Sequence, residues 1–191
     1  MTGAAAPMRR ISVVGTSGSG KTTVARRIAG RLALPHVELD ALYHQPGWTT
    51  LPTEEFVARV DVATDGPGWV VDGNYREVSD HGPVWAKADT IVWLDPTDAR
   101  LMRQVVARTL RRWVTREELW NGNREPLTGP FRWDPEQSII RWAWTRRGPT
   151  RERYGAAMAD ERWAHVRWVR LRNPAAIDAW LDALPGDPVE G

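Results

Sequence analysis

Gly15-Thr16-Ser17-Gly18-Ser19-Gly20-Lys21-Thr22 is the stretch of this chain best suited to chemistry. It fits the pattern G-x-x-x-x-G-K-[ST], and Thr23 extends it. Glycines let successive backbone N–H groups converge on one point. A helix that begins there aims its positive dipole end at the same point. The chemistry is capture of a phosphate chain: N–H groups from Gly18 to Thr22 on the phosphates, Lys21 on the β and γ groups, the Thr22 hydroxyl on Mg²⁺. Lysine is conspicuous, because of 26 basic residues only Lys21 and Lys87 are lysine. A compact ammonium suits a tight loop better than a planar guanidinium fork does.

Such a loop works only between a strand and a helix. Arg10-Ile11-Ser12-Val13-Val14 before it reads as a short buried strand. Val24, Ile28 and Leu32 after it recur every four residues, with Ala25 and Ala29 beside them, as one apolar helix face. The alternation continues. His36 to Asp40 reads as a second strand, Trp69 to Gly73 as a third, Thr90 to Asp95 as a fourth and Val166 to Leu171 as a fifth. Helices are expected after Pro52 with Thr53 as cap, after Pro96, and after Asn173-Pro174. Short strands alternating with helices imply a parallel sheet covered on both faces. Residues from about 113 to 153 break this rhythm and read as an insertion rich in Arg, Trp, Gly and Pro that folds over the nucleotide. The expectation is one domain over 1–185, with a disordered tail over 186–191.

Catalysis on a phosphate chain adds a carboxylate at the end of a neighbouring strand, to hold the metal. Asp72 and Asp95 both end apolar runs. Asp72, followed by Gly-Asn-Tyr-Arg, is the favoured ligand; Asp95, followed by proline, also reads as a turn acid. Asp40 sits at the same sheet edge in this reading. It could hold metal, orient an acceptor hydroxyl, act as a base or simply cap a helix.

Composition narrows the setting. The chain has 191 residues, no cysteine and a formal net charge of +2, which excludes disulfides and thiolate metal sites. The four histidines lack metal-ligand spacing. No apolar run approaches the roughly 20 residues of a membrane span, and a signal peptide is not expected at the N-terminus. The expected location is cytoplasmic. Arg141 to Arg153 mixes tryptophan with arginine, a nucleic-acid-like pattern, but a wet helix face is the preferred reading.

GTSGSGKTT, ELDALYHQPGW, WVVDGNYREV, DTIVWLDP and TREELWNGNRE together resemble the topology modulation proteins, also called FlaR-like, of the adenylate-kinase-like P-loop NTPases. The resemblance implies a three-layer α/β sandwich with a central five-stranded parallel sheet, like the nucleoside monophosphate kinases, with an Arg-rich helical lid. Asp72-Gly73-Asn74-Tyr75-Arg76 is similar to the D-G-x-x-R segment of adenylate kinases, which implies a metal-shell role for Asp72 and an acceptor-phosphate role for Arg76. Arg108, Arg112 and Arg116 resemble lid arginines, on one helical face by their spacing of four. ATP as the nucleotide also rests on the resemblance. The arginine pattern that holds AMP in adenylate kinases is missing between Asp40 and Trp69, so adenylate kinase activity is not implied. The reading is a Mg·ATP-dependent phosphotransferase with Lys21, Asp72, Arg112 and Arg116 in catalysis and Asp40 and Arg76 at a small-molecule or nucleotide acceptor. The alternative is an ATP-driven switch or ATPase that holds nucleic acid or a protein partner.

Overall fold

The computed structural model describes residues 8–115, 118–123 and 139–185. Arg116, residues 124–138 of the insertion and the tail from 186 lie outside the described residues. Five strands, β1 (Arg10–Gly15), β2 (His36–Glu38), β3 (Trp69–Asp72), β4 (Thr90–Leu94) and β5 (Arg167–Leu171), form one sheet in the order β2-β3-β1-β4-β5. Every pairing is parallel. Helices α1 (Lys21–Leu32), α2 (Leu39–Tyr43), α3 (Thr53–Ala63), α4 (Pro83–Lys87), α5 (Asp98–Thr115), α6 (Ile139–Met158) and α7 (Pro174–Asp182) cover it.

The two-residue period of the strands builds two cores. Ile11, Val13, Val70, Val92 and Leu94 face one side and pack with Val24 and Ile28 of α1 and Leu181 of α7. Val14, Val71, Ile91 and Trp93 face the other and pack with Phe56, Trp85 and Tyr154 of α3, α4 and α6. Runs of β-branched residues suit strands buried on both faces. Trp69 and Trp93 are buried, as core packing requires, whereas Trp180 packs only partly buried at the rim of the first core. The fully buried Trp85 donates its indole N–H to Ser12 Oγ at 3.3 Å and meets Trp163 and Trp168 edge-on.

Two local expectations are corrected and one is met. The second strand ends at Glu38, and Asp40 lies in the first turn of α2. The alternation of Val37, Leu39 and their neighbours continues past the point where the backbone turns helical. At α3 the cap position is Pro52, and Thr53 is the first helical residue with no side-chain cap. Asn173 does cap α7, its side-chain oxygen accepting from the Ala176 N–H at 2.8 Å, with Pro174 in the first turn.

Register brings the chemistry together. Asp72 stands beside Val13 of β1 and Glu38 of β2, and Gly15 stands beside Leu94 of β4. The glycine loop, Asp72 and the chain after β2 therefore share the carboxyl edge of the sheet, where open α/β sheets bind ligands.

Candidate active site

The loop between β1 and α1 is built for close approach. Gly15, Gly18 and Gly20 have φ of 147°, 86° and 92°, and Gly20 caps α1 with no side-chain hydrogen bond. The first N–H groups of α1 therefore have no side-chain acceptor. A Cβ at Gly18 would stand 2.3 Å from Val105 Cγ2 of α5, so only glycine fits. Lys21 Nζ donates to the Gly15 carbonyl at 3.0 Å and to that of Thr16 at 3.4 Å. Burial pushes the Lys21 ammonium below its ordinary value, while Asp40 and Asp72 raise it. Ser19 is buried and Thr22 half-buried, but Thr23 points to the exposed side of α1.

The segment Asp72 to Arg76 supplies a different group at each position. Asn74 Nδ2 donates to the Gly15 carbonyl at 2.6 Å, and its Oδ1 accepts from the Tyr154 hydroxyl of α6 at 2.9 Å. The Tyr75 hydroxyl donates to Asp40 Oδ1 at 2.6 Å. Arg76 meets His81 Nε2 at 3.1 Å. Sequence reading missed Asn74 and Tyr75; their position between Asp72 and Arg76 was the available signal.

Lys21, Asp40, Arg76, Arg108 and Arg112 all line one cleft of about 790 Å³. Arg108 Nη2 also reaches Ser17 Oγ at 3.4 Å. From α6 come Arg146, Thr150 and Arg153, part of the stretch expected to be a wet helix face. Arg153 forks onto both oxygens of Asp80 and reaches the Asn74 carbonyl, so α6 is tied to the segment after β3.

The insertion reaches the far wall of this cleft. Trp120 stacks on His44 with centroids 5.7 Å apart and donates its indole N–H to Glu38 Oε1 at 2.7 Å. Asn123 brackets the turn Pro46–Trp48: its Oδ1 accepts from the Trp48 N–H at 3.0 Å and its Nδ2 donates to the Gln45 carbonyl at 2.9 Å. Trp48 is thereby held at φ 59°, a left-handed conformation uncommon for a bulky residue. Residues 119–123 thus cover the side of the cleft that holds Asp40 and His44.

Asp95 and Asp72 have opposite surroundings. Asp95 receives Arg151 Nε at 2.8 Å and Arg170 Nε at 3.0 Å, with Arg172 Nε at 3.6 Å. Asp72 is 2% exposed, and neither carboxylate oxygen has a hydrogen-bond partner among the described residues. His36 Nε2 lies 3.5 Å from Asp72 Oδ1. A buried carboxylate without hydrogen bonds is costly unless a cation meets it. Among the described residues no three His, Cys, Asp or Glu side chains converge on a metal position. A lone carboxylate with a threonine hydroxyl suits Mg²⁺, which keeps waters and phosphate oxygens as its remaining ligands.

Three arginines of the tryptophan-arginine stretch pair within the chain. Arg147 lies 3.4 Å from the Trp144 ring centroid and pairs with Asp98, and Arg151 pairs with Asp95 and Asp98.

No family profile matches the chain. Over 113 residues it is 33% identical to a shikimate kinase from Ruegeria pomeroyi, a stretch covering 48% of this chain and 58% of that protein. The chain thus spans rather more than half the length of the curated relative it matches. A gluconokinase from Sinorhizobium meliloti superposes with a TM-score of 0.51 at 20% identity, covering 93% of each chain. A shikimate kinase from Acinetobacter baumannii in complex with shikimate superposes with a TM-score of 0.52 at 13% identity, covering 92% of this chain and 89% of that one. The fold is that of the P-loop kinases. In that fold the cleft described above lies between the glycine loop and the helices α5 and α6. No helix among the described residues is long and apolar enough to cross a membrane.

Proposed function

We propose that this protein is an ATP-dependent phosphotransferase that moves the γ-phosphoryl group to a hydroxyl of a small acceptor. The observation that carries the reading is that Lys21 of the phosphate loop and Asp40 line the same cleft. A lone phosphate-binding loop has no use for a second carboxylate across the cavity, whereas transfer needs a group to meet the incoming hydroxyl.

In this reading backbone N–H groups from Gly18 to Thr22 hold the phosphates, with Gly15 to Ser17 shaping the loop. Lys21 leaves the Gly15 and Thr16 carbonyls for the β/γ oxygens. The Thr22 hydroxyl and Asp72 would hold Mg²⁺, which when bound would neutralise phosphate charge. Asp95 is held by its arginines and does not compete for that role. Arg108 and Arg112 face the transferring group, and Arg116 follows them in sequence. Asp40 accepts the hydroxyl proton. Arg76 and Arg146 supply positive charge beside it, which suits an acceptor with a carboxylate or phosphate. Closure of the insertion excludes water and limits wasteful hydrolysis.

The shikimate kinase and gluconokinase likenesses make hydroxylated carboxylic acids the first acceptors to try. The likeness to the topology modulation proteins belongs to the same proposal, and the cytoplasm, where ATP is made, is the proposed setting. The test is ADP release from Mg·ATP with shikimate, gluconate, nucleoside monophosphates and nucleosides, against Lys21→Ala as blank. An acceptor that raises the rate at least about tenfold supports transfer; slow ADP release that no acceptor changes refutes it.

A further inference from the structure

Tyr75 has one proton to give and two acceptors near it. Asp40 Oδ1 lies 2.6 Å from its hydroxyl and His44 Nε2 lies 3.5 Å away. Hydrogen bonds between oxygens are best near 2.7 Å, so the proton is committed to the carboxylate. Burial and the neighbouring Asp40 push the Tyr75 phenol far above its ordinary value, so it stays a donor at any working pH. The ring cannot swing away: Tyr43 and Phe56 pack on it with centroids at 4.7 and 5.0 Å. Asp40 Oδ2 has no hydrogen bond among the described residues, and Asp40 lines the cleft.

We infer that Tyr75 is a positioning residue: it occupies Asp40 Oδ1 and thereby presents Oδ2 to the acceptor hydroxyl. This rests on the proposed role of Asp40. In the step served, the acceptor oxygen bonds to the γ-phosphorus and its proton passes to Asp40 Oδ2. The bond from the γ-phosphorus to the bridging oxygen breaks, and its electron pair leaves on ADP. Tyr75 neither gains nor loses a proton. A carboxylate free to rotate would meet the hydroxyl in the right geometry only part of the time, and misplacement of this kind is expensive in rate.

The test uses the full chain, Mg·ATP and the best acceptor among shikimate, gluconate and nucleoside monophosphates. Tyr75→Phe keeps the ring and removes the hydroxyl. It is expected to lower kcat about tenfold while the acceptor KM changes less than about threefold. In an Asp40→Asn background the same substitution should change kcat by less than about twofold, since there is no longer a carboxylate to aim. Phe56→Leu loosens the same ring packing without touching the hydroxyl and should leave kcat within about twofold. The inference is overturned if Tyr75→Phe retains kcat, if its loss persists undiminished with Asn at 40, or if Phe56→Leu reproduces it. If the unmodified chain phosphorylates none of the acceptors, the phosphotransferase reading itself has failed, a result told apart by the wild-type arm alone.

Discussion

Asn74→Ala should loosen the phosphate loop and the helix behind it together. Asn74 Nδ2 holds the Gly15 carbonyl at 2.6 Å, and Asn74 Oδ1 accepts from the fully buried Tyr154 at 2.9 Å. Truncation removes both contacts to Gly15, the carbonyl bond and the long 3.4 Å bond from its N–H, together worth about 1 kcal/mol net, and orphans a buried hydroxyl at about 1–3 kcal/mol more. The Gly15 carbonyl keeps Lys21 Nζ at 3.0 Å, which moderates the first loss. The loss is about 2–4 kcal/mol, or a fall in Tm of about 4–16 °C for a chain of this size. Differential scanning calorimetry on the purified chain reads it. The decisive arm is Asn74→Ala with Tyr154→Phe, which removes the orphaned hydroxyl and should recover about 1–3 kcal/mol relative to Asn74→Ala alone. A Tm within about 2 °C of wild type, or a further loss on adding Tyr154→Phe, refutes the clamp.

Three more outcomes follow from the same geometry. Lys21→Ala should lower turnover at least about 100-fold while circular dichroism stays unchanged, the scale seen when one fixed donor to developing charge is removed; unchanged turnover would refute the loop's role. Asp72→Asn should lose Mg²⁺-dependent turnover far more than Asp95→Asn, and Asp95→Asn should instead lower stability by about 1–3 kcal/mol, since it leaves Arg151 and Arg170 without their buried carboxylate partner; the reverse ranking in metal titrations and denaturant melts would move the metal site to Asp95. Asp98 is held below the ordinary carboxylate range, first by the Arg147 hydrogen bond and then by Arg151. A lowered folded value stabilises above the unfolded carboxylate value and is lost as pH falls through the folded one, so the contribution of the α5–α6 pairs should vanish only in acid. Because Asp98 is 41% exposed, Arg147→Ala should cost no more than about 1 kcal/mol at pH 7 and nothing once Asp98 is protonated; a pH-independent loss would contradict the pairing.

The glycine loop between β1 and α1 was legible because its glycines obey a strict spacing and each adopts a positive φ. The central strands β3, β1 and β4 were legible because they are buried on both faces as near-continuous apolar runs, whereas the edge strands β2 and β5 carry polar residues and are only partly buried. The jobs of Asn74 and Tyr75 were not, because Asn74 acts on Gly15 and Tyr154 across 59 and 80 positions of sequence. Only the pairing of β1 with β3 and the packing of α6 create those distances. Asp95 stayed open beside Asp72 as a metal acid for the same reason: the arginines paired with it lie 56 and 75 positions away. Asp40 was placed at a strand end because alternation alone cannot show where β2 turns into α2. Helix α4 is five residues long, too short for any helical period to register. In α6, arginine and tryptophan are spread around the helix, so no apolar stripe marks which arginines turn inward to the cleft.

The most direct test of the account follows the terminal phosphoryl group itself. ATP labelled at the γ-phosphorus is mixed with Mg²⁺, the wild-type chain and each acceptor, and the label is traced to acceptor or to inorganic phosphate. Label is predicted on a hydroxyl of one acceptor, with transfer lowered at least about 100-fold by Lys21→Ala and by Asp40→Asn. Label found only in inorganic phosphate, at a rate indifferent to every acceptor and to Asp40→Asn, would contradict it.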